Sequence, residues 1–393
     1  MVTLVPTVVL LLLLFSIIPA HSAVFNIPSG NVPALIAAIN AANANGEENT
    51  IILAPGIYTV IAPLPSITST QRIQGAGAPT TIIETDPSTI SSCVLRDCRS
   101  IFQVAFVGTL ILDRLTVRGG ERGIFNSGEL TVTKSIISDN KGGFGGGIFN
   151  DPTGTVVIIN STVTRNSAGG LSAGGMYNAG GIVTIDSSAF TNNTAPGAGG
   201  LLNAGGRITI DNSTFARNAS LTAGAIANVL RGQGTITNST ISDNTAVGGG
   251  GIINAMDSIL ALQNTILARN GGDCFDRITS LGNNLIGEGC TNTNNTLQPT
   301  DLTGDPGLAA FIDDGTPGNG HFPLLEASPA IDAGDNDACP ATDQIGEPRV
   351  GTCDIGAIEF QPMPVLTVAV DIRPGGPNNN INPNSNAIIP VEF

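Results

Sequence analysis

Residues 199–218 read GGLLNAGGRITIDNSTFARN, and this pattern of glycines, apolar residues and asparagines returns along the chain. The asparagine that ends the stretch has counterparts at spacings of 26, 27, 25, 26 and 26 residues. The column consists of Asn140, Asn166, Asn193, Asn218, Asn244 and Asn270. A fixed period in this range indicates a protein built from stacked repeats, each of which is one supersecondary unit.

Apolar residues recur in register with these asparagines. In the quoted stretch, Ile210 lies two residues before Asn212, and Phe215 lies three residues after it. Alternation of apolar and polar residues predicts strands with one buried face, and the odd separation between the two apolar positions requires a bend at Asn212. A further inward position at Leu201 gives each repeat three short strands and three corners.

Such a repeat cannot bury its apolar side alone, so it must stack on its neighbours, and successive turns of one spiral pair in parallel. We therefore predict an all-β, right-handed parallel β-helix over residues 23–300, with about six regular coils of about 26 residues at 115–270. Each coil advances about 4.8 Å, which stacks like residues and lets the asparagine amides form a structural ladder.

The ends of the β-helix need covering. Val32, Leu35, Ile36 and Ile39 recur at helical spacing after Asn31, so residues 31–42 predict an N-terminal capping helix. Less regular turns follow at 51–60 and 110–117. At the far end we expect a loop-rich C-terminal cap.

The N-terminus predicts export. Ten of the eleven residues from Val8 to Ile18 are apolar, and small residues up to Ala23 follow; this run is too short for a bilayer core of about 30 Å. Residues 1–22 are therefore interpreted as a signal peptide, which places the protein outside the cell or on a bacterial cell surface. No transmembrane span is expected.

The charge excludes one class of partner. The formal net charge is −15, and lysine occurs only at Lys134 and Lys141, whereas nucleic-acid binding requires clustered basic residues. We expect a monomeric, acidic protein without a nucleic-acid partner.

The six cysteines predict disulfides, because an even number behind a signal peptide is typical of oxidised secreted proteins. Fifteen connectivities are open, pairing between sequence neighbours is the simplest, and zinc binding is an alternative. The residues are Cys93, Cys98, Cys274, Cys290, Cys339 and Cys353.

Two parts of the chain resemble known families. The repeats at about 115–290, best seen at Phe190–Asn193 and Phe215–Asn218, resemble those of polymorphic outer membrane proteins, which are surface β-helices implicated in adhesion. Residues 321–360, with Ser328–Asn336 and Cys353–Glu359, closely resemble the end of choice-of-anchor Q domain proteins, which are secreted bacterial β-helix proteins.

These resemblances imply a pectin-lyase-like solenoid followed by a choice-of-anchor Q-like region at 301–361. Residues 362–393, with Val370–Pro377, resemble the opening of a small secreted domain. We expect this second domain to be cut short at Phe393.

Few acidic residues suit catalysis. Asp186 and Asp211 fall in adjacent coils of one column, about 5 Å apart, and form a weak candidate for a catalytic or calcium site; a solvated face is the plainer interpretation. Asp139 and Asp243 lie four coils apart, roughly 19 Å, which is too far for acid and base partners.

The C-terminal region offers a second weak candidate. Asp332, Asp335 and Asp337 could bind calcium through carboxylate oxygens, although their spacing matches no known calcium loop. We otherwise expect no cofactor. His321 is interpreted as a packed turn residue. An edge of Arg165, Arg217 and Arg269 could contact acidic sugars or simply solubilise the rod.

The sequence favours a non-catalytic adhesin, glycan-binding module or spacer, with a polysaccharide or cell-surface glycan as the expected partner. The alternative is a polysaccharide lyase, glycoside hydrolase or epimerase of the same fold.

Overall fold

The computed structural model describes residues 22–90, 99–287, 290 and 297–362. Four parallel sheets, named A to D here, form the faces of a solenoid of about nine turns. In the regular coils the chain visits A, B, D and C in that order. Sheets A and B have eleven strands each, so the β-helix begins before the six regular coils and continues beyond them.

The strands of each sheet are short and pair only with strands of adjacent coils. Sheet A contains Val24–Ile27, Asn49–Leu53, Thr70–Gln74, Thr109–Asp113, Glu129–Thr133, Thr155–Ile159, Ile182–Asp186, Arg207–Asp211, Gln233–Thr237, Ile259–Gln263 and Thr279–Gly282. Sheet B contains Gly56–Val60, Thr81–Thr85, Thr116–Arg118, Ile136–Ser138, Thr162–Thr164, Ala189–Thr191, Thr214–Ala216, Thr240–Ser242, Ile266–Ala268, Leu285–Ile286 and Leu302–Thr303.

Sheets C and D complete the coils. Sheet C contains Ser100–Val104, Arg122–Asn126, Ile148–Asn150, Met176–Asn178, Leu201–Ala204, Ile226–Val229, Ile252–Asn254 and Cys274–Asp276. Sheet D contains Lys141–Gly142, Ser167–Ala168, Thr194–Ala195, Ala219–Ser220 and Thr245–Ala246. Sheet D was not expected from the sequence, because strands of two residues are too short to show an apolar alternation.

The corners follow the asparagine and serine columns. Between sheets A and B, the corner residues of the regular coils adopt positive φ angles of 46° to 51°; they are Lys134, Asn160, Ser187, Asn212, Asn238 and Asn264. Asparagine tolerates this left-handed conformation better than most residues. The bend required by the apolar pattern is therefore present, and it turns both flanking strands toward one continuous core.

The helix that was expected to cover the first coil spans Val32–Asn45. The side chain of Asn31 accepts a hydrogen bond from the backbone N–H of Ala34, which satisfies one of the unpaired donors at the helix N-terminus. Leu35 and Ile39 are completely buried against the core of the first turns. Two 3-10 turns lie at Pro87–Thr89 and Asn336–Ala338.

Residues 305–360 extend further than an end cap would, because they run along the outside of sheet B. Here they are called the strap. The backbone N–H of Gly318 donates to Thr162 Oγ1, and the backbone N–H of Gly356 donates to the carbonyl of Asn264. A separate apolar cluster joins Phe322 of the strap to Ile266 of sheet B. The strap thus follows the coils over much of the regular repeat.

Two disulfides lie in the described residues. Cys274 pairs with Cys290, and Cys339 pairs with Cys353 within the strap. Cys93 and Cys98 lie outside the described residues, as do positions 1–21 of the expected signal peptide and nearly all of the expected second domain. No helix in the part of the chain that the structure describes is long and apolar enough to cross a membrane.

Candidate functional site

Sheet C carries apolar side chains on both faces. In the strand Ile148–Asn150, Ile148 points into the core and Phe149 points outward, and the following coils repeat this arrangement. The outward column is called the aromatic groove here. It consists of Phe125, Phe149, Tyr177, Leu202, Ala227, Ile253 and Phe275.

A buried asparagine ladder fixes the register of this groove. Each side chain of the ladder except the last donates from Nδ2 to Oδ1 of the asparagine in the next coil, at 2.7 to 2.8 Å. The ladder consists of Asn126, Asn150, Asn178, Asn203, Asn228 and Asn254. Because each asparagine of the ladder directly follows an outward residue, the ladder also holds the outward side chains one above the other.

Three of the four aromatic rings of the column, those of Phe125, Phe149 and Tyr177, lie in the N-terminal half of the groove. The rings of Phe125 and Phe149 stack with centroids 5.3 Å apart, and Phe149 meets Tyr177 edge to face at 5.3 Å. Phe144, from the loop before sheet C, lies 6.0 Å from the ring of Tyr177. Offset and edge-to-face contacts are the stable arrangements for such rings, so they form a fixed apolar surface.

The flanks of the groove are also apolar. Ala173, Ala198 and Ala223 pack with Leu202 and Ala227 in one cluster. On the turns between sheets C and A, Leu230 and Met256 are more than half exposed. Phe149, Leu202 and Ile253 of the column are themselves only 5 to 8% exposed. The accessible apolar surface therefore lies on the half-buried rings of Phe125 and Tyr177, on Phe275 and on the two turn residues. An exposed apolar patch of this kind is a candidate binding site.

A pocket of about 430 Å³ opens over the aromatic part of the groove. Arg122, Asp151, Pro152 and Leu230 line it together with the rings. Arg122 is only 2% exposed, and its guanidinium lies 5.6 Å from the ring centre of Phe125 and 5.2 Å from that of Phe149. Burial lowers the pKa of Arg122 to about 10, so the side chain still carries its charge at neutral pH.

The candidate carboxylate pair lies elsewhere, at the end of sheet A. Asp186 and Asp211 are partners in the parallel register. Oδ1 of Asp211 accepts from Thr237 Oγ1 at 2.7 Å and from Asn238 Nδ2 at 2.8 Å. Burial, and to a smaller degree the charge of Asp211, raise the pKa of Asp186. The structure therefore brings the two carboxylates side by side in a partly desolvated position.

The acidic residues of the strap serve turns and hydrogen bonds. The carboxylate of Asp335 accepts from the backbone N–H of Asp337 and from Gln263 Nε2, both at 3.1 Å. Asp332 donates its backbone N–H to the carboxylate of Asp354. Within the described residues, no group of three or more His, Cys, Asp or Glu side chains is placed to hold a metal ion.

The three arginines of the predicted edge each contact another side chain of the protein. Arg165 pairs with Asp139 at 2.8 Å, and Arg269 pairs with Asp243 at 2.9 Å. Arg217 lies over the ring of Phe311 in the strap. His321 is buried, with Nδ1 2.6 Å from the carbonyl of Asn319, which agrees with a packed turn residue.

Residues 146–309 match the family model described as "Right handed beta helix region". Together with the four parallel sheets, this match confirms the predicted all-β, right-handed parallel β-helix. No curated protein matches the chain.

The aromatic groove was missed in the sequence, although a signal for it exists. The pairs Ile148-Phe149, Met176-Tyr177 and Leu201-Leu202 place two apolar residues in succession where a half-exposed strand should alternate. The second residue of each pair must then face outward.

Proposed function

We propose that this chain is a secreted or cell-surface protein that binds glycans in the aromatic groove of its β-helix and thereby acts as an adhesin. The observation that carries the proposal is the column of outward rings at Phe125, Phe149 and Tyr177. An outer sheet face with no binding role would be expected to carry polar residues.

The dimensions of the groove suit a linear polymer. Successive side chains of the column repeat at about 4.8 Å, and the seven positions extend over about 29 Å. Aromatic rings offer large, rigid apolar faces, and the C–H faces of sugar rings can pack on them. The polar rim supplies groups such as Asp151 for hydroxyl groups of the ligand.

The test is binding of the purified protein to an array of polysaccharides, followed by titration of the ligands found. We expect Tyr177→Ala to weaken binding by about tenfold, because it removes a half-exposed stacking surface. Phe149→Ala should also weaken binding, because it removes the buried ring against which Phe125 and Tyr177 pack. The control is Ile57→Ala, which removes an exposed apolar side chain from sheet B in the first coils.

Two results would contradict the proposal. One is a wild-type protein that binds no glycan. The other is a Tyr177→Ala variant that folds normally and binds as tightly as the wild type. In the second case the glycan would lie on another face of the rod.

A second candidate function is a polysaccharide lyase, hydrolase or epimerase. It is favoured by the raised pKa of Asp186 next to the side chain of Asp211, since a carboxyl group with a raised pKa beside a second acidic residue is typical of acid–base sites. Incubation with polygalacturonate, alginate and related polymers tests it. Release of unsaturated or reducing ends that is abolished by Asp186→Ala or Asp211→Ala would establish an enzyme in place of the adhesin.

A further inference from the structure

The guanidinium of Arg122 has no carboxylate partner among the described residues. Nε donates to the carbonyl of Phe144 at 3.0 Å, and Nη1 lies 3.4 Å from Ser100 Oγ. No ion pair of the described chain includes Arg122, whereas the arginines at 72, 118, 165, 269 and 349 each pair with an acidic side chain. Of the described arginines that are buried or half-buried, those at 72, 118 and 349 each have an acidic partner, and Arg122 does not.

Burying a charge in this way is costly. A buried guanidinium without a counter-ion loses its hydration and regains only part of that free energy from neutral acceptors and aromatic rings. Its two neutral hydrogen bonds engage two of its five N–H donors, which leaves three for another partner. The rings of Phe125 and Phe149 hold the group in place.

The free donors belong to a residue that lines the pocket. Asp151 also lines this pocket, but its carboxylate accepts from Ser127 Oγ at 3.1 Å and from the backbone N–H and Oγ1 of Thr153 at 2.8 Å. The pocket thus combines a fixed positive charge, aromatic walls and room for a sugar ring.

We infer that Arg122 is the specificity-determining residue of the aromatic groove and selects glycans that carry an oxyanion substituent, with a ring carboxylate preferred. This inference rests on the proposed function. A carboxylate matches the planar fork of a guanidinium with two parallel hydrogen bonds, and burial strengthens such a pair. Sulfated sugars share the negative charge but not the planar geometry.

The experiment compares three oligosaccharides by titration calorimetry at low salt. They are a galacturonate hexamer, its methyl ester and a galactan hexamer that carries sulfate groups in place of carboxylates. The ester keeps the sugar backbone and removes the charge. We expect the wild type to bind the galacturonate hexamer at least about tenfold more tightly than its ester, with the sulfated hexamer between them.

Arg122→Met should abolish this preference and leave the weak binding of the ester. Arg122→Lys keeps the charge without the planar fork, and it should reduce the preference for carboxylate over sulfate. Arg207→Met, at an exposed position of sheet A, is the matched control and should behave as the wild type.

Equal binding of acid and ester by the wild type overturns the inference, as does an intact preference in a folded Arg122→Met variant. In both cases a loss of binding in Tyr177→Ala would leave the proposed function standing. If the wild type binds none of the three ligands and no glycan of the array, the inference and the proposed function fail together. If Arg122→Met does not fold, the wild-type ratio of acid to ester and the Arg122→Lys variant decide.

Discussion

The two asparagine ladders have the same polarity but different ends. In the column from Asn140 to Asn270, the first Oδ1 accepts from the backbone N–H of Gly120, and the last Nδ2 donates to the carboxylate of Asp273. In the column behind the aromatic groove, Oδ1 of Asn126 has no partner in the described chain, whereas Asn254 donates to the carbonyl of Arg277. Only one of the ladders is thus closed at both ends.

The interior rungs should matter most for stability. Asn193→Ala removes the acceptor for the backbone N–H and Nδ2 of Asn166, both of which are buried. We expect the free energy of unfolding to fall by about 3 kcal/mol, since buried donors without partners are costly. Chemical denaturation checks this value.

Ser220→Ala is the matched control for that variant. Its Oγ is buried without a hydrogen-bond partner in the described residues, so the change should be neutral within about 0.5 kcal/mol. An Asn193→Ala variant as stable as Ser220→Ala would show that the ladder contributes little.

Residues of the ladder could be predicted from the sequence, whereas Arg122 could not. A column repeats in every coil, so its spacing alone shows that Asn193 stacks on Asn166. Arg122 occurs in one coil only, and its role depends on the rings of Phe125 and Phe149 and on the loop at Phe144, which meet only in the folded coil.

At the scale of elements, the strap is held by charged groups that are almost completely buried. Arg349 and Glu359 form an ion pair at 3.2 Å with side-chain exposures of 4% and 2%. The carboxylate of Asp354 accepts from the backbone N–H groups of Asp332 and Phe360. Burial raises the pKa of Asp354 to about 6, and the nearby charges of Glu359 and Asp332 add to the effect.

The raised pKa of Asp354 predicts a pH dependence of stability. The folded protein holds this proton more tightly than the unfolded chain, so the contribution of Asp354 is greatest below about pH 4 and declines as the pH rises to about 6. Burial raises the pKa of Asp343 too, which acts in the same direction. Asp354→Asn should therefore flatten the dependence of the unfolding free energy on pH between these limits.

Chemical denaturation of both proteins at several pH values measures the two slopes. Asp257→Asn, at an exposed turn, is the control and should keep the wild-type slope. Equal slopes in the wild type and Asp354→Asn would refute the assignment to this residue.

The sequence predicted the elements whose apolar residues recur with a clear period. It gave no prediction for the path of segments that lack such a period. The helix at Val32–Asn45 and the strands of sheets A to C follow from repeated apolar positions. The path of the strap does not, because its contacts with the coils, such as the bond from Thr214 Oγ1 to Gln344 Oε1, join residues far apart in sequence that show no common period.

At the scale of the whole molecule, the strap joins coils that the repeat treats as equivalent. Gly318 lies against Asn160 and Ser187, and Thr342 accepts from Asn212 Nδ2. Gln344 donates to the carbonyl of Gly318, so these parts of the strap are also tied to each other. The strap contacts therefore require a fixed number of coils between them.

This requirement predicts unequal effects of coil deletions. Removal of residues 187–211 joins Asp186 to Asn212 in register, but it moves the strap contacts together by about 4.8 Å. We expect hydrogen exchange to show lost protection of residues 318–357. Removal of residues 114–133, which also deletes one register unit, lies before the strap contacts and should leave that protection intact. Similar protection in both variants would argue against the fixed spacing.

The shared polarity of the ladders gives the rod an order of assembly in time. Each asparagine donates to the coil that follows it in sequence, as Asn166 does to Asn193 and Asn178 does to Asn203. During synthesis from the N-terminus, the last asparagine of each ladder would thus have a side-chain donor whose acceptor lies in the next coil, which has not yet been made. Asp273 and the carbonyl of Arg277 supply the last acceptors, so the donors of both ladders are satisfied before the last strands of sheets A and B are synthesised.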